Sequence, residues 1–549
     1  MTGEAGIDEG RKVIRRAGVV GFFTLISRVL GFIRDALQGN IFGVNALTDA
    51  FVVANTLSNF LRRLVGEGAL VIAFVPILSE ARTTGGKPAM RAFFAAVLGL
   101  LIPLLLVFVL LGMMFPGAVV EVFAPGFDPA THAVAEDLAR IMMPYILFIS
   151  LMAMAGGVLN VEGSFAAPAA APILLNIAII AFALLLRDRF DAPIEALAWG
   201  TTVGGVLQLL LQIPFLAKKG LLVMPRWAPR DPPVLTLARR MGPAVFGVAV
   251  YQINLMVIRQ IGSYLPGGQL TCYYSATRLQ EFALGVFAVS VSVAALPTLS
   301  EHASRRDWYR LSATFRRALR VTNFVTIPAT LGLLLLSGPI VGVLFRHGKF
   351  GADASRITAE LLLILGAALV PIGAVRVAVP TFYALGDAKT PVIGAFASLF
   401  ATVGLGYLLG QRYEIWGLTT ATSVSALVQL LVLWAMLRRT IRSRVVADRA
   451  AGTLVELEPQ SGPPDPGVVS HAIRCAIAAA PGIVLAHFLA RQREWDRSVA
   501  LSDNLIAAVP LFALLGMTIV AYFALAKVLR IPEADMVLGV ITRRLRRRR

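Results

Sequence analysis

Residues 18–42, Gly-Val-Val-Gly-Phe-Phe-Thr-Leu-Ile-Ser-Arg-Val-Leu-Gly-Phe-Ile-Arg-Asp-Ala-Leu-Gln-Gly-Asn-Ile-Phe, decide how this chain is read. A second run, residues 48–81, follows at once and opens Thr-Asp-Ala-Phe-Val-Val-Ala-Asn-Thr-Leu-Ser-Asn-Phe-Leu-Arg-Arg. Both have the length and apolar content of bilayer-crossing helices. Yet the first holds Arg28, Arg34 and Asp35, and the second holds Asp49, Asn55, Asn59, Arg62, Arg63 and Glu67. One charged side chain at the centre of a membrane helix costs about 2.5–3.5 kcal/mol even on the lenient insertion scale. Several in one hairpin forbid a lipid-facing placement, so these side chains line a protein interior or a wet cavity.

Spacing gathers them onto faces. Arg28 and Asp35 lie seven residues apart, nearly two turns, on one stripe. Asn55, Asn59 and Arg62 follow i, i+4, i+7, and Arg63 with Glu67 forms an i, i+4 pair.

The rest of the chain extends the pattern. Of 549 residues, 57% are hydrophobic and only 15% charged, and the mean hydropathy is +0.75. That excludes an ordinary soluble protein and makes the chain an all-α polytopic membrane protein. We count about fourteen spans, near 18–42, 48–80, 91–115, 137–160, 168–186, 194–216, 234–265, 271–300, 318–345, 357–384, 391–410, 415–437, 470–490 and 504–529. The first apolar run lacks a small-x-small cleavage site and reads as the first span. The net charge of +19 sits in alternate loops and in the final Arg-rich run. That is the positive-inside pattern rather than a nucleic-acid surface, and it places both termini in the cytoplasm. Two cysteines and five scattered histidines offer no disulfide framework and no metal spacing. No phosphate-binding loop, nucleophile elbow or zinc-binding helix occurs, so neither ATP hydrolysis nor enzyme chemistry is expected.

The chain repeats itself. Pro76–Glu80 matches Pro297–Glu301, Phe123–Gly126 matches Phe345–Gly348, and Gly163–Pro168 matches Gly386–Pro391. Trp199 and Gln208 match Trp416 and Gln429. Matches in order at nearly constant offset make spans one to six and seven to twelve a duplicated pair of like topology, with a substrate site expected between them. The expected parts are an N-lobe (1–217), a linker (218–233), a C-lobe (234–441), a flexible linker (442–469), a final helix pair (470–530) and a basic tail (531–549). In the second copy Thr271, Ser275, Arg278 and Glu281 make one polar stripe, span seven adds Gln252, Asn254 and Arg259, and Arg376 lies inside span ten. The planar guanidinium fork stays charged when desolvated and binds phosphate bidentately. Arg28, Arg34, Arg62 and Arg278 therefore suit a phosphate or pyrophosphate head group, with Asp35 orienting its neighbours and Asp49 and Glu281 free to pair with arginines by turns.

Several motifs resemble those of the lipid II flippases of the MurJ/MviN family. They are Ser27-Arg-Val-Leu-Gly-Phe-Ile-Arg-Asp35, Thr48-Asp-Ala-Phe51, Asn59-Phe-Leu-Arg-Arg63, Glu67-Gly-Ala69, Phe74-Val-Pro-Ile-Leu78, Ala124–Phe127, Pro168–Asn176, Arg278-Leu-Gln-Glu-Phe282, Leu344–Phe350 and Phe382–Pro391. The resemblance spans essentially all the apolar runs. It implies the fold of the multidrug/oligosaccharidyl-lipid/polysaccharide exporters, two six-helix lobes plus two C-terminal helices. It also implies movement of lipid II between the leaflets of the bacterial cytoplasmic membrane by alternating access. Arg28, Arg34, Arg62 and Arg278 match the family's cavity arginines, and Asp35 the acid grouped with them at the pyrophosphate. Asp49, Glu67 and Glu281 match acids of gating or coupling, while Ser27, Asn55, Asn59, Thr271, Ser275 and Arg376 remain cavity-lining candidates. The partners so implied are lipid II, membrane lipids and cell-wall synthesis proteins. No cofactor or metal is implied, only coupling to membrane potential or a monovalent ion. The chain departs from the family at Thr56-Leu-Ser-Asn59, where Lys-Leu-Pro-Asn is common, and at Thr277, where an acid or Asn is common. The alternatives are an exporter of another polyprenyl-linked glycan, an ion-coupled drug exporter, a non-transporting scaffold for cell-wall synthesis, and a membrane-embedded transferase.

Overall fold

The computed structural model describes residues 2–63, 70–285, 288–452, 467–491 and 501–546; Glu67 lies outside them. Every regular element among the described residues is a helix. The first unit, Met1–Thr271, holds α1 (Thr2–Phe42), α2 (Ala46–Leu61), α3 (Leu70–Thr84), α4 (Gly86–Met114), α5 (Pro116–Phe123), α6 (Pro129–Val161), α7 (Ala166–Leu185), α8 (Glu195–Lys218) and α9 (Pro232–Ser263). α10 (Gln269–Gly285) runs across the division between Thr271 and Cys272. The second unit, Cys272–Arg549, adds α11 (Ala288–Ser304), α12 (Trp308–Phe345), α13 (Ala352–Ala367), α14 (Leu369–Ala384), α15 (Lys389–Ala450), α16 (Val468–Arg491), α17 (Leu501–Val528) and α18 (Pro532–Arg546).

Eight of these helices, α4, α6, α7, α8, α12, α15, α16 and α17, are long and apolar enough to cross a membrane. The pair α13–α14, bent by 44°, passes the same test together. α15 contains two of the expected spans, joined at Tyr413 and Glu414, whose backbone leaves the helical region. The expected spans at 18–42, 48–80, 234–265 and 271–300 fall on α1, α2 with α3, α9, and α10 with α11, which are not among the helices that pass this test over the described residues. Those are the helices that carry most of the candidate site residues.

Local signals account for the breaks. Asn45 caps α2, accepting from the Thr48 amide while the Thr48 hydroxyl accepts from the Asn45 amide. Asp128 caps α6 ahead of Pro129 at the first helical position. The duplication is visible in the caps. After α6, Gly163 has φ 75° and the Ser164 amide donates to the Leu159 carbonyl. After α14, Gly386 has φ 72° and the Asp387 amide donates to the Phe382 carbonyl. A left-handed residue ends each helix, and glycine takes that conformation without steric cost.

The first unit packs around α6, α7 and α8, with Phe74, Phe93, Met142 and Leu159 in its core. In the second, α12 is the central helix. α11, α13, α14 and α16 pack on it, and the Tyr522 hydroxyl of α17 donates to the Phe324 carbonyl at 2.7 Å.

Candidate functional site

α1 is held at its charged turn by α7. Arg34 donates through Nε and Nη2 to Asp35 Oδ1, at 3.0 and 2.7 Å, and through Nη1 to Asn176 Oδ1 at 3.1 Å. The Asn176 amide nitrogen in turn donates to the Ser27 carbonyl at 3.0 Å. One buried asparagine thus reads two turns of α1, because residues 27 and 34 lie on one stripe. The arrangement fixes the plane of the Arg34 guanidinium and leaves its side chain 16% exposed. Arg28 is exposed on the same helix. Asn176 ends the Pro168–Asn176 motif, yet no spacing in the sequence marks it as a site residue. A lone amide in a span as apolar as Ala166–Leu185 was the available signal.

On α2 the stripe is internally bonded. The Asn59 amide nitrogen donates to the carbonyl and side-chain oxygens of Asn55, at 2.8 and 2.9 Å. α9 supplies a second polar face. Arg259 Nε donates to the Thr56 hydroxyl at 3.2 Å and Gln252 Nε2 to the Phe60 carbonyl at 3.3 Å. Both α9 side chains are buried. The helix widens to a π turn at residues 62–63, where intrahelical bonding is disrupted and a carbonyl can accept a side chain. Arg62 is half-buried at that turn.

Asp49 has a different setting. Its carboxylate accepts from the Gly268 amide at 2.6 Å, the Thr271 amide at 2.7 Å and the Thr271 hydroxyl at 2.5 Å. It is 3% exposed. Gly268 presents its amide from φ 92°, a conformation that side chains other than glycine rarely take. Asp49 therefore ties the start of α2 to the turn before α10, with backbone and hydroxyl donors in place of an arginine.

The second unit carries its own arginine. Arg278 on α10 donates from Nη2 to the Tyr274 hydroxyl at 2.6 Å and from Nη1 to Glu281 Oε2 at 3.3 Å. Its guanidinium carbon stands 4.8 Å from the centre of the Tyr274 ring, a cation–π placement. Ser275 is buried one turn earlier, and Arg376 is half-buried on α14. Among the described residues, no group of three or more His, Cys, Asp or Glu side chains is placed to hold a metal. What the two polar groups offer is anion recognition by oriented guanidinium forks.

A profile of the family described as "Lipid II flippase MurJ" matches residues 39–458. The chain is 38% identical to the lipid II flippase MurJ of Burkholderia cenocepacia over 426 residues, 76% of this chain and 83% of that one. It is 35% identical to the probable lipid II flippase MurJ of Vibrio cholerae over 433 residues, 77% of this chain and 82% of that one. A solved structure of a lipid II flippase MurJ in an inward closed conformation superimposes with a TM-score of 0.73 at 24% identity, over 93% of this chain and 98% of that one. A multidrug resistance MATE transporter of the MOP superfamily shares the fold at a TM-score of 0.66 and 14% identity, over 76% of this chain and 95% of that one, in its inward-facing form.

Proposed function

The chain belongs to the lipid II flippase MurJ family, and from that premise we propose that it carries lipid II from the inner to the outer leaflet, using paired arginine stations on its pyrophosphate. It is a multi-pass protein of the bacterial inner membrane, in a family of transporters rather than of catalysts. The observation that carries the proposal is the Arg34 guanidinium. It is oriented by Asp35 and Asn176 inside a helix whose apolar flanks belong in a bilayer. Such a group is costly to insert, and an anionic head group is what it is shaped to receive.

In this reading Arg28, Arg34 and Arg62 take the head group from the first unit and Arg278 from the second. Asp49 and Glu281 change partners as the protein moves between inward-open and outward-open states. Glu67 would share that role. Alternating access draws support from the division into two compact units with site residues on each. The polyprenyl tail stays in lipid beside α16 and α17, whose faces expose Ile477, Leu485, Phe488, Phe512 and Ile519. No cofactor is required; membrane potential or a monovalent ion drives the cycle. Both termini lie in the cytoplasm, and cell-wall synthesis enzymes supply and consume the substrate.

The test is to replace a bacterial host's own flippase with this chain and score growth and lipid II accumulation. Growth with lipid II at its normal level supports the reading. A well-inserted chain that leaves lipid II to accumulate overturns it.

A further inference from the structure

At one end of α4 and α8 lies an open cavity of 420 Å³ lined by Lys87, Pro88, Arg91, Lys219 and Gly220. Lys87 and Arg91 are four apart on α4 and share a face. Lys219 reaches in because α8 stops there. Gly220 takes φ 64°, its amide donates to the Ala217 carbonyl, and the Leu221 amide donates back to the Leu216 carbonyl. Among the described residues none of the three cations has an ion-pair partner. Arg82 and Arg226, by contrast, are neutralised by Glu162 and Asp231 at 2.6 and 2.5 Å. Three unneutralised cations around one cavity repel one another, and an anion relieves that repulsion.

The chain leaving the cavity says what kind of anion. Residues 221–228 run without helix along α4, and the Arg226 amide donates to the Ala95 carbonyl at 2.9 Å. Leu221 is buried and Val223 packs on the core, while Leu222 and Met224 point out, 55% and 87% exposed. Trp227 follows at 68% exposed. This is strand-like alternation with an apolar outer edge. α4 and α8 both qualify as membrane spans, so the cavity lies where a span meets the head-group layer. The segment rises beside α4 from that level. Apolar side chains and a tryptophan beside lysines and arginines are the composition of a membrane interface.

We propose that Lys87, Arg91 and Lys219 form a binding site for the phosphate of an anionic phospholipid, whose acyl chains lie against Leu222, Met224 and Trp227. The site is separate from the arginines assigned to the transported head group and requires only that α4 and α8 cross the bilayer. A basic residue close to an anionic membrane surface strengthens binding by roughly fivefold. Removing three therefore lowers selectivity for the anionic lipid by one to two orders of magnitude.

The test uses the full chain purified in detergent and titrated with phosphatidylglycerol or phosphatidylcholine, with bound lipid counted by native mass spectrometry. The variant Lys87→Gln/Arg91→Gln/Lys219→Gln changes exposed side chains only, and its melting temperature checks the fold. A control variant, Arg317→Gln/Arg439→Gln/Arg442→Gln, removes as much charge from the second unit. Loss of the phosphatidylglycerol preference in the cavity variant alone supports the site. Retention of the preference, or equal loss in the control, overturns it by showing a diffuse charge effect. A third arm adds inorganic phosphate: displacement of the lipid by millimolar phosphate would make this a small-anion site and overturn the lipid assignment. A third variant, Met224→Ser/Trp227→Ser, is expected to weaken both lipids; unchanged binding of both overturns the acyl contact.

Discussion

Arg34 and Arg278 are the same side chain used in two ways. Arg34 is held on three nitrogens by a carboxylate and an amide, and it shows 16% of its side chain. Arg278 stacks on Tyr274, touches Glu281 at 3.3 Å, and shows 34%. The first is a fork fixed in one orientation. The second is a cation on a platform, with an acid near enough to compete for it. Preorganised donors lose little freedom on binding, whereas mobile ones lose more. In the function proposed above, this difference gives Arg34 the part of fixing the anion and Arg278 that of sensing its arrival.

The largest effect should come from removing the forks. Arg34→Ala and Arg278→Ala each delete charge-assisted bonds of about 1.5–3 kcal/mol, so each should cut transport roughly tenfold to a hundredfold with expression intact. The lysine variants separate the two roles. Arg34→Lys should behave almost as the alanine variant, since only a fork satisfies both Asp35 and the ligand. Arg278→Lys should keep much of its activity, because an ammonium also rests on a tyrosine ring. Equal behaviour of the two lysine variants in a lipid II transport assay would erase the distinction.

Next in size is Asn176→Leu, which removes the Asn176 contact to Arg34 and the added donor on the Ser27 carbonyl. Transport should fall about tenfold, as for loss of one hydrogen bond to a charged group. Wild-type rates in a well-inserted Asn176→Leu protein would return Asn176 to packing.

A third arginine sharpens the contrast. Arg320 donates to Glu533 at 3.2 Å, and His471 meets the other oxygen of Glu533 at 2.9 Å, all three buried. This network docks α18 against α12 and α16. Removing one partner leaves an uncompensated charge, at a cost of about 3 kcal/mol. Arg320→Ala should therefore lower thermal stability without selective loss of transport. Burial alone would raise the Glu533 pKa, but the His471 hydrogen bond, the His471 charge and Arg320 together hold it below the usual carboxylate range. A depressed carboxyl contributes stability above its ordinary pKa and loses it as pH falls through the lowered value. Stability should thus decline below the ordinary carboxylate range, and Glu533→Gln should flatten that decline. An unchanged pH slope in the variant would remove Glu533 from the network.

The smallest effect belongs to Thr56→Lys, which restores the residue common in the family. Here the Thr56 hydroxyl receives Arg259, so a lysine would face a buried cation. A modest loss of transport is expected, recovered in Thr56→Lys/Arg259→Gln; no recovery would mean that the two positions are not coupled.

Much of this was legible in the chain because intramembrane charge is rare enough to carry meaning by itself. Arg28, Arg34, Asp35 and Arg278 stand out against apolar runs, and the glycines at 163 and 386 mark the repeat. The partners of those residues were not legible. Asn176 sits on a helix with no polar period, and Asp49 is satisfied by amides, which sequence does not display. Nor does it show that α9 bonds to α2 and belongs with the first compact unit. Residues 218–233 read as a linker by proline and charge, and only the packing of Leu221 and Val223 reveals an ordered edge.

The most direct measurement is leaflet crossing of fluorescent lipid II in vesicles containing the full chain. Wild-type protein is expected to move it across, and the Arg34→Ala/Arg278→Ala double variant, reconstituted at equal density, to leave it where it started. Equal crossing by the two proteins would contradict the assignment of these arginines to the transported head group.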